Sequence, residues 1–225
     1  MKLIGTETGR ILQLFRPEEI RPLAGAYLPA VLQAIKSRYE FATPLPDPST
    51  INQPTGAKFS SGHFMASGVD IGIIELSVYN DGVIVTCSNT DLADVIADDM
   101  SNMMVSQFQF RPQSTERQRT YTSIVIAELE LSHPNALGVL DAIADRASEA
   151  LNEQYGWDHI VAHHRLEWRA DPLRVPHLRN TQFAIERRGN AAYDEQRYWC
   201  TAPLPTAKHL VWLEWAEKAL LSLAT

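Results

Sequence analysis

The sequence predicts an α+β fold, with a largely antiparallel or mixed sheet covered by three to four amphipathic helices. Three observations lead there. Strand-like segments of period two outnumber helical ones, and the order β-α-ββ-α-β-α-β-β-β-α does not alternate as a doubly wound fold would. Residues 71–79 and 83–87 flank Asn80-Asp81-Gly82, whose residue types tolerate positive φ, so one antiparallel pair is set by its turn.

The opening residues read as a short strand and a turn. Phe15-Arg16-Pro17-Glu18-Glu19 resembles a helix entry, with Pro near the start and acids in the first turn. Leu28, Val31, Leu32 and Ile35 give a firmer helix, from Pro29 to Tyr39, its apolar stripe. Residues 42–58, with Pro44, Pro46, Pro48 and Pro54, predict a long loop. Loops of that length usually belong to function, linkage or docking. Phe59 to Gly68 reads as a small-residue turn into the hairpin; its alternative role is to cradle an anion through backbone N–H groups.

After the hairpin, Thr90 is expected to cap a helix from Asp91 to Gln107. Leu92, Val95, Ile96, Met100 and Met103 share one side of it, and Asp91, Asp94 and Asp98 the other. Tyr121 to Leu131 reads as a strand with Tyr121, Ser123, Val125, Ala127, Leu129 and Leu131 on one face. Thr122, Ile124, Ile126, Glu128 and Glu130 take the opposite face. A helix follows from Ser132 to Tyr155, stopped by Gly156, then strands at 159–169, 181–188 and 195–201. Thr206 is expected to cap a last helix to Leu223. No internal repeat is visible in the sequence. The organisation reads as an N-terminal helix and Pro-rich loop segment over 1–58 and a main α+β domain over 59–225, or as one continuous domain over 1–225.

The net charge of −7 is unevenly placed. Residues 59–110 hold seven carboxylates and no Lys or Arg, whereas residues 111–200 hold eleven Arg and no Lys. Arg suits carboxylate pairing and interfaces, Lys a solvated surface. The two blocks are expected to meet within one chain or between copies. The acidic balance argues against nucleic acid as a partner, because phosphate neutralisation dominates that affinity. No apolar run is long enough to span a membrane and no signal peptide is evident, so a soluble protein is expected, cytoplasmic or within an assembled particle such as a virion. Cys87 and Cys200 are expected to be free, buried thiols.

Motifs with a known chemistry are absent: no Gly-rich phosphate loop, nucleophile elbow, Cys-x-x-Cys or His-Glu-x-x-His. No cofactor or metal is therefore expected, and catalytic residues stay unassigned. His159, His163 and Glu167 repeat every four residues, but on a strand they spread along one face. Glu75 lies among Ile71, Ile73, Ile74 and Leu76, where burial would raise a carboxyl pKa as a general acid needs. Glu128 and Glu130 stand about 7 Å apart by strand geometry, a spacing that two-carboxylate hydrolysis uses.

The last helix is apolar nearly all round, with Glu214, Lys218 and Ser222 its only continuous polar sliver. Such a helix is buried on more than one side. Trp212, Trp215, Leu220 and Leu223 are the residues expected at an intermolecular contact, with Asp91, Asp94 and Asp98 as an acidic counterpart. The sequence thus favours a non-enzymatic structural or assembly subunit, such as a phage virion component, acting through protein partners or copies of itself. The alternatives are a hydrolase or transferase using Glu75 or the His159/His163 face, and an Arg-lined polyanion-binding module.

Overall fold

The computed structural model describes residues 1–15, 27–111, 118–130, 138–156, 164–170, 182–189, 191 and 195–222. In chain order the elements are β1 (Lys2–Leu14), α1 (Leu28–Arg38), β2 (Ala57–Ala66), β3 (Val69–Val78), β4 (Gly82–Cys87), α2 (Thr90–Phe108), β5 (Gln118–Glu128), α3 (Gly138–Tyr155), β6 (Arg165–Arg169), β7 (Gln182–Arg187), β8 (Arg197–Ala202) and α4 (Thr206–Ser222). The eight strands form one sheet in the order β2-β3-β4-β1-β5-β8-β7-β6, and every pair is antiparallel. The α+β class is as expected.

That order has a twofold logic. Each half runs strand, helix, three-strand meander, helix, and in each half the last strand of the meander returns to pair with the first. The halves join where β1 pairs with β5, so the sheet reads outward alike from its centre. Equivalent pairs follow: Ile11 faces Val85 in one half, and Val125 faces Cys200 in the other. All four are fully buried. No repeat is legible in the residues because what the halves share is topology and burial.

Two cores correspond to the two halves. In the first, Ile11, Phe59, Ile71, Ile73, Leu76 and Val85 of the sheet pack with Val31, Leu32 and Ile35 of α1 and Ala93, Ile96 and Met100 of α2. In the second, Val125, Ala127, Ile185, Tyr198 and Cys200 pack with Leu213 of α4. Each fully buried aliphatic contributes about 1.5–3 kcal/mol of transfer free energy. β1 and α1 take part in the sheet and the first core directly, β1 as one of its two central strands.

Several local readings change. β1 is a full strand of 13 residues, with register shifts at Leu3/Gly5 and Thr6/Thr8 that absorb its irregular pattern. The segment 59–68 is no loop: Ala57–Ala66 is a strand that pairs with β3, turning at Ser67-Gly68. Small residues misled there because they accommodate neighbours. A Cβ on Gly62 would lie 2.4 Å from the Phe41 ring. This outer strand is itself partly sheltered, since the His63 N–H donates to the Tyr39 carbonyl (2.8 Å) and the Ala42 N–H to that of Ser61 (3.3 Å). Such cover guards an edge against unwanted pairing. Within the Pro-rich 42–58 segment, Pro48–Asn52 forms a single 3-10 turn whose Asp47 carboxylate accepts the Ser49 N–H at 2.9 Å.

α2 is capped by Asn89, whose side chain accepts the Leu92 N–H at 2.9 Å, so Thr90 is its first helical residue and not its cap. It ends at Gln109, held at φ 56 in the left-handed region. β5 presents Ser123, Val125, Ala127 and Leu129 to the buried side, as its alternation requires. The expected helix start at Ser132 and strand start at His159 lie outside the described residues.

Candidate functional site

Three regions gather chemistry: the seam between the halves, the acidic face of α2, and the outer face of α4.

The seam is built on one residue without a side chain. Gly9 pairs with Ser123 across β1 and β5. A Cβ on Gly9 would sit 2.0 Å from the Asn89 carbonyl carbon, so the start of α2 rests directly on the β1 backbone. There Thr90 meets Thr206, the first residue of α4. The Thr206 N–H donates to Thr90 Oγ1 at 2.7 Å, and the Thr90 N–H to Thr206 Oγ1 at 3.1 Å. Each threonine satisfies an orphan donor of the other helix. Beside them Ser123 Oγ lies 2.8 Å from His209 Nδ1, and both residues are fully buried. Burial pushes His209 down to about 4, so its ring is neutral near pH 7. Its Nε2 has no hydrogen-bond partner. A serine and a histidine in contact suggest nucleophilic chemistry, but neither is open to solvent, and the bond joins the serine to Nδ1.

On α2, Asp94 and Asp98 hold the Arg119 guanidinium of β5, Asp98 at 2.6 Å, while Arg119 Nε donates to Gln13 of β1 at 2.9 Å. Asp99 takes Arg38 bidentately at 2.6 and 2.5 Å and accepts the Tyr39 hydroxyl at 2.9 Å. Beside Asp99, burial and the nearby carboxylate push the Tyr39 phenol far above its ordinary range. Asp91 stays exposed. The acidic block and the Arg block therefore meet within the chain at Arg119.

α4 turns Leu213, Ala216 and Glu217 inward. Glu217 accepts the Glu130 N–H at 3.0 Å and pairs with the amino group of Met1. Trp212 is half-buried, its ring 4.8 Å from Phe183 and edge-on to Trp168 at 6.2 Å. Leu220 packs against the second core. Trp215 and Val211 do the opposite: they are 65% and 69% exposed, one turn apart on the same face. Leu223 lies outside the described residues. Of the predicted contact set, the structure thus puts Trp212 and Leu220 against the chain's own core and leaves Trp215 outward.

The other candidates are engaged locally. Glu75 accepts the Ser77 hydroxyl (3.0 Å) and pairs with Lys58 (2.9 Å). A register shift between Ile73 and Glu75 turns this carboxylate away from the buried face that Ile71 and Ile73 share. Glu128 pairs with Lys2 (3.1 Å) and Arg197 (3.7 Å). Glu167 lies between Arg165 (2.9 Å) and Arg169. Across this face cations and carboxylates alternate. His159 and His163 lie outside the described residues. Both cysteines are free and buried, and burial alone pushes each thiol up to about 12. Among the described residues no helix is long and apolar enough to cross a membrane, and no group of His, Cys, Asp and Glu is arranged to hold a metal.

Sequence reasoning missed the seam. Its signal was faint: each long helix after a cysteine-bearing strand begins with threonine. Nothing in the residues says that the two threonines meet.

No protein-family model matches the chain, and no curated protein does. Among solved structures the chain is similar to Methanococcus jannaschii TBP, at 10% identity and a TM-score of 0.40, over 97% of this chain and 98% of that one.

Proposed function

We propose that this protein is a non-enzymatic assembly subunit that works through protein–protein contacts made by the outer face of α4. The observation that carries the reading is the exposure of Trp215 beside Val211 on a helix whose other faces are packed. Trp carries a large apolar area, and with Val211 beside it Trp215 offers apolar surface that a partner could cover. Trp is also enriched among residues that dominate binding energy. Glu214 and Lys218, both exposed on the same helix, supply a polar rim to such a contact. The partner is a second copy or another protein of a larger particle, of which a phage virion is one example.

Two features favour contact over catalysis. The Ser123–His209 pair is sealed from solvent. Glu75 and Glu128 are spent on ion pairs with Lys58, Lys2 and Arg197. The alternation of Arg and Glu on β6, β7 and β8 likewise weighs against a polyanion, which requires a surplus of cations.

Native mass spectrometry of the protein isolated from its source tests the proposal. A mass above one chain, from copies or a partner, is expected. A clean monomer at high concentration with no co-purifying protein would overturn it.

A further inference from the structure

We propose that the seam between the two halves is an acid-operated latch, in which protonation of His209 releases α4 from the sheet while the first half stays folded. Geometry is the main ground. His209 sits in the first turn of α4, where backbone N–H groups make the local potential positive. α2 begins at the same place, because Thr90 and Thr206 are hydrogen-bonded there. Two positive helix ends thus converge near one fully buried imidazole. With Nδ1 held by the Ser123 hydroxyl and Nε2 without a partner, the ring has nowhere to place a second proton's charge.

The groups around it offer no counter-ion. On α4, Lys208 is a cation and is exposed, and Glu217 is already committed to the Glu130 N–H and the Met1 amino group. β5 presents Ser123. On β8, Tyr198 and Cys200 keep their protons, both held above their ordinary range by burial. From α2, Thr90 is neutral and Asp91 points to solvent. Trp212, 6.0 Å away, contributes a neutral ring. Burial alone displaces the His209 titration.

The sign follows from linkage. The folded ring is harder to protonate than the free one, so the seam is fully held above the unfolded value of 6.5. Hold is lost progressively as the pH falls from there toward about 4, since the open form gains the proton first. Between pH 7.5 and 5 the opening equilibrium should rise about 30-fold. The loss is expected to be local because the two cores are separate and α4, which carries His209, packs its Leu210, Trp212, Leu213 and Leu220 in the second.

Amide hydrogen exchange of the whole chain at pH 7.5 and 5, corrected for intrinsic rates, tests this. Protection of α4 should fall about 30-fold at pH 5 relative to α1 and β3. In His209→Gln that pH dependence should vanish. An equal fall in both halves, or an unchanged fall in the variant, would overturn the latch. Should the variant not fold, an NMR titration of the wild-type imidazoles decides: His209 protonating near an ordinary histidine pKa, with α4 signals unmoved, also overturns it.

Discussion

Thr90 and Thr206 cap each other. Each is the first residue of its helix, and each hydroxyl accepts the backbone N–H of the other, at 3.1 and 2.7 Å. The bond joins residues 116 apart in sequence and lies over the place where β1 meets β5. It ties the two halves at the point where their symmetry requires them to touch.

Replacing either threonine by valine keeps the shape and removes the acceptor. Each single change should destabilise by about 1–2 kcal/mol, in the range of lost helix caps. Because the two act as one unit, the double variant should cost clearly less than the sum of the singles. Urea unfolding of the four proteins measures both quantities; full additivity would show that the pair is not coupled.

Gly9 is the backbone counterpart of that bond. Gly9→Ala places a methyl 2.0 Å from the Asn89 carbonyl carbon, against backbone that cannot rotate away. A loss of about 3 kcal/mol or more is expected, at the upper end of overpacking costs. Gly72→Ala is the control, since nothing lies within 4 Å of its added Cβ. That variant should fold normally, and thermal unfolding separates the two.

Arg119 gathers Asp94, Asp98 and Gln13 around one guanidinium that is only 11% exposed. Arg119→Met keeps the aliphatic stem and leaves two carboxylates without their cation. A loss of about 2 kcal/mol is expected, in keeping with hydrogen bonds to charged groups. Urea midpoints of wild type and variant give the comparison.

Cys87 and Cys200 should resist thiol reagents. Burial pushes both up to about 12, so almost no thiolate is present at pH 8, and neither sulfur is reached by solvent. Two thiols should react fast in denaturant and neither in the native state. Fast native labelling of either would place that strand end at the surface.

How much of this was legible in the sequence depends on the range of the forces involved. α1, the β3–β4 hairpin, α2, β5 and α4 were readable because local periodicity records which face each buries. β2 was not: its Gly62 reflects Phe41 lying across it, a tertiary fact written as a small residue. The outward Trp215 was named together with Trp212, although they sit on different faces of α4 and meet different surroundings. A helix that is apolar nearly all round gives no sign of which side the sheet takes. The contacts Thr90–Thr206 and Ser123–His209 join residues far apart in the chain, and only the return of β4 beside β1 and of β8 beside β5 brings them together.

Trp215 is the centre of the proposed contact. Sedimentation velocity of the protein from its native source, compared with Trp215→Ser, is the measurement that tests it. Wild type should sediment as an assembly, and the variant as a single chain with an unchanged far-UV spectrum, because that side chain is 65% exposed and contributes little to the core. A wild-type protein that sediments as a bare monomer at high concentration, or a variant that assembles as fully as wild type, would contradict it.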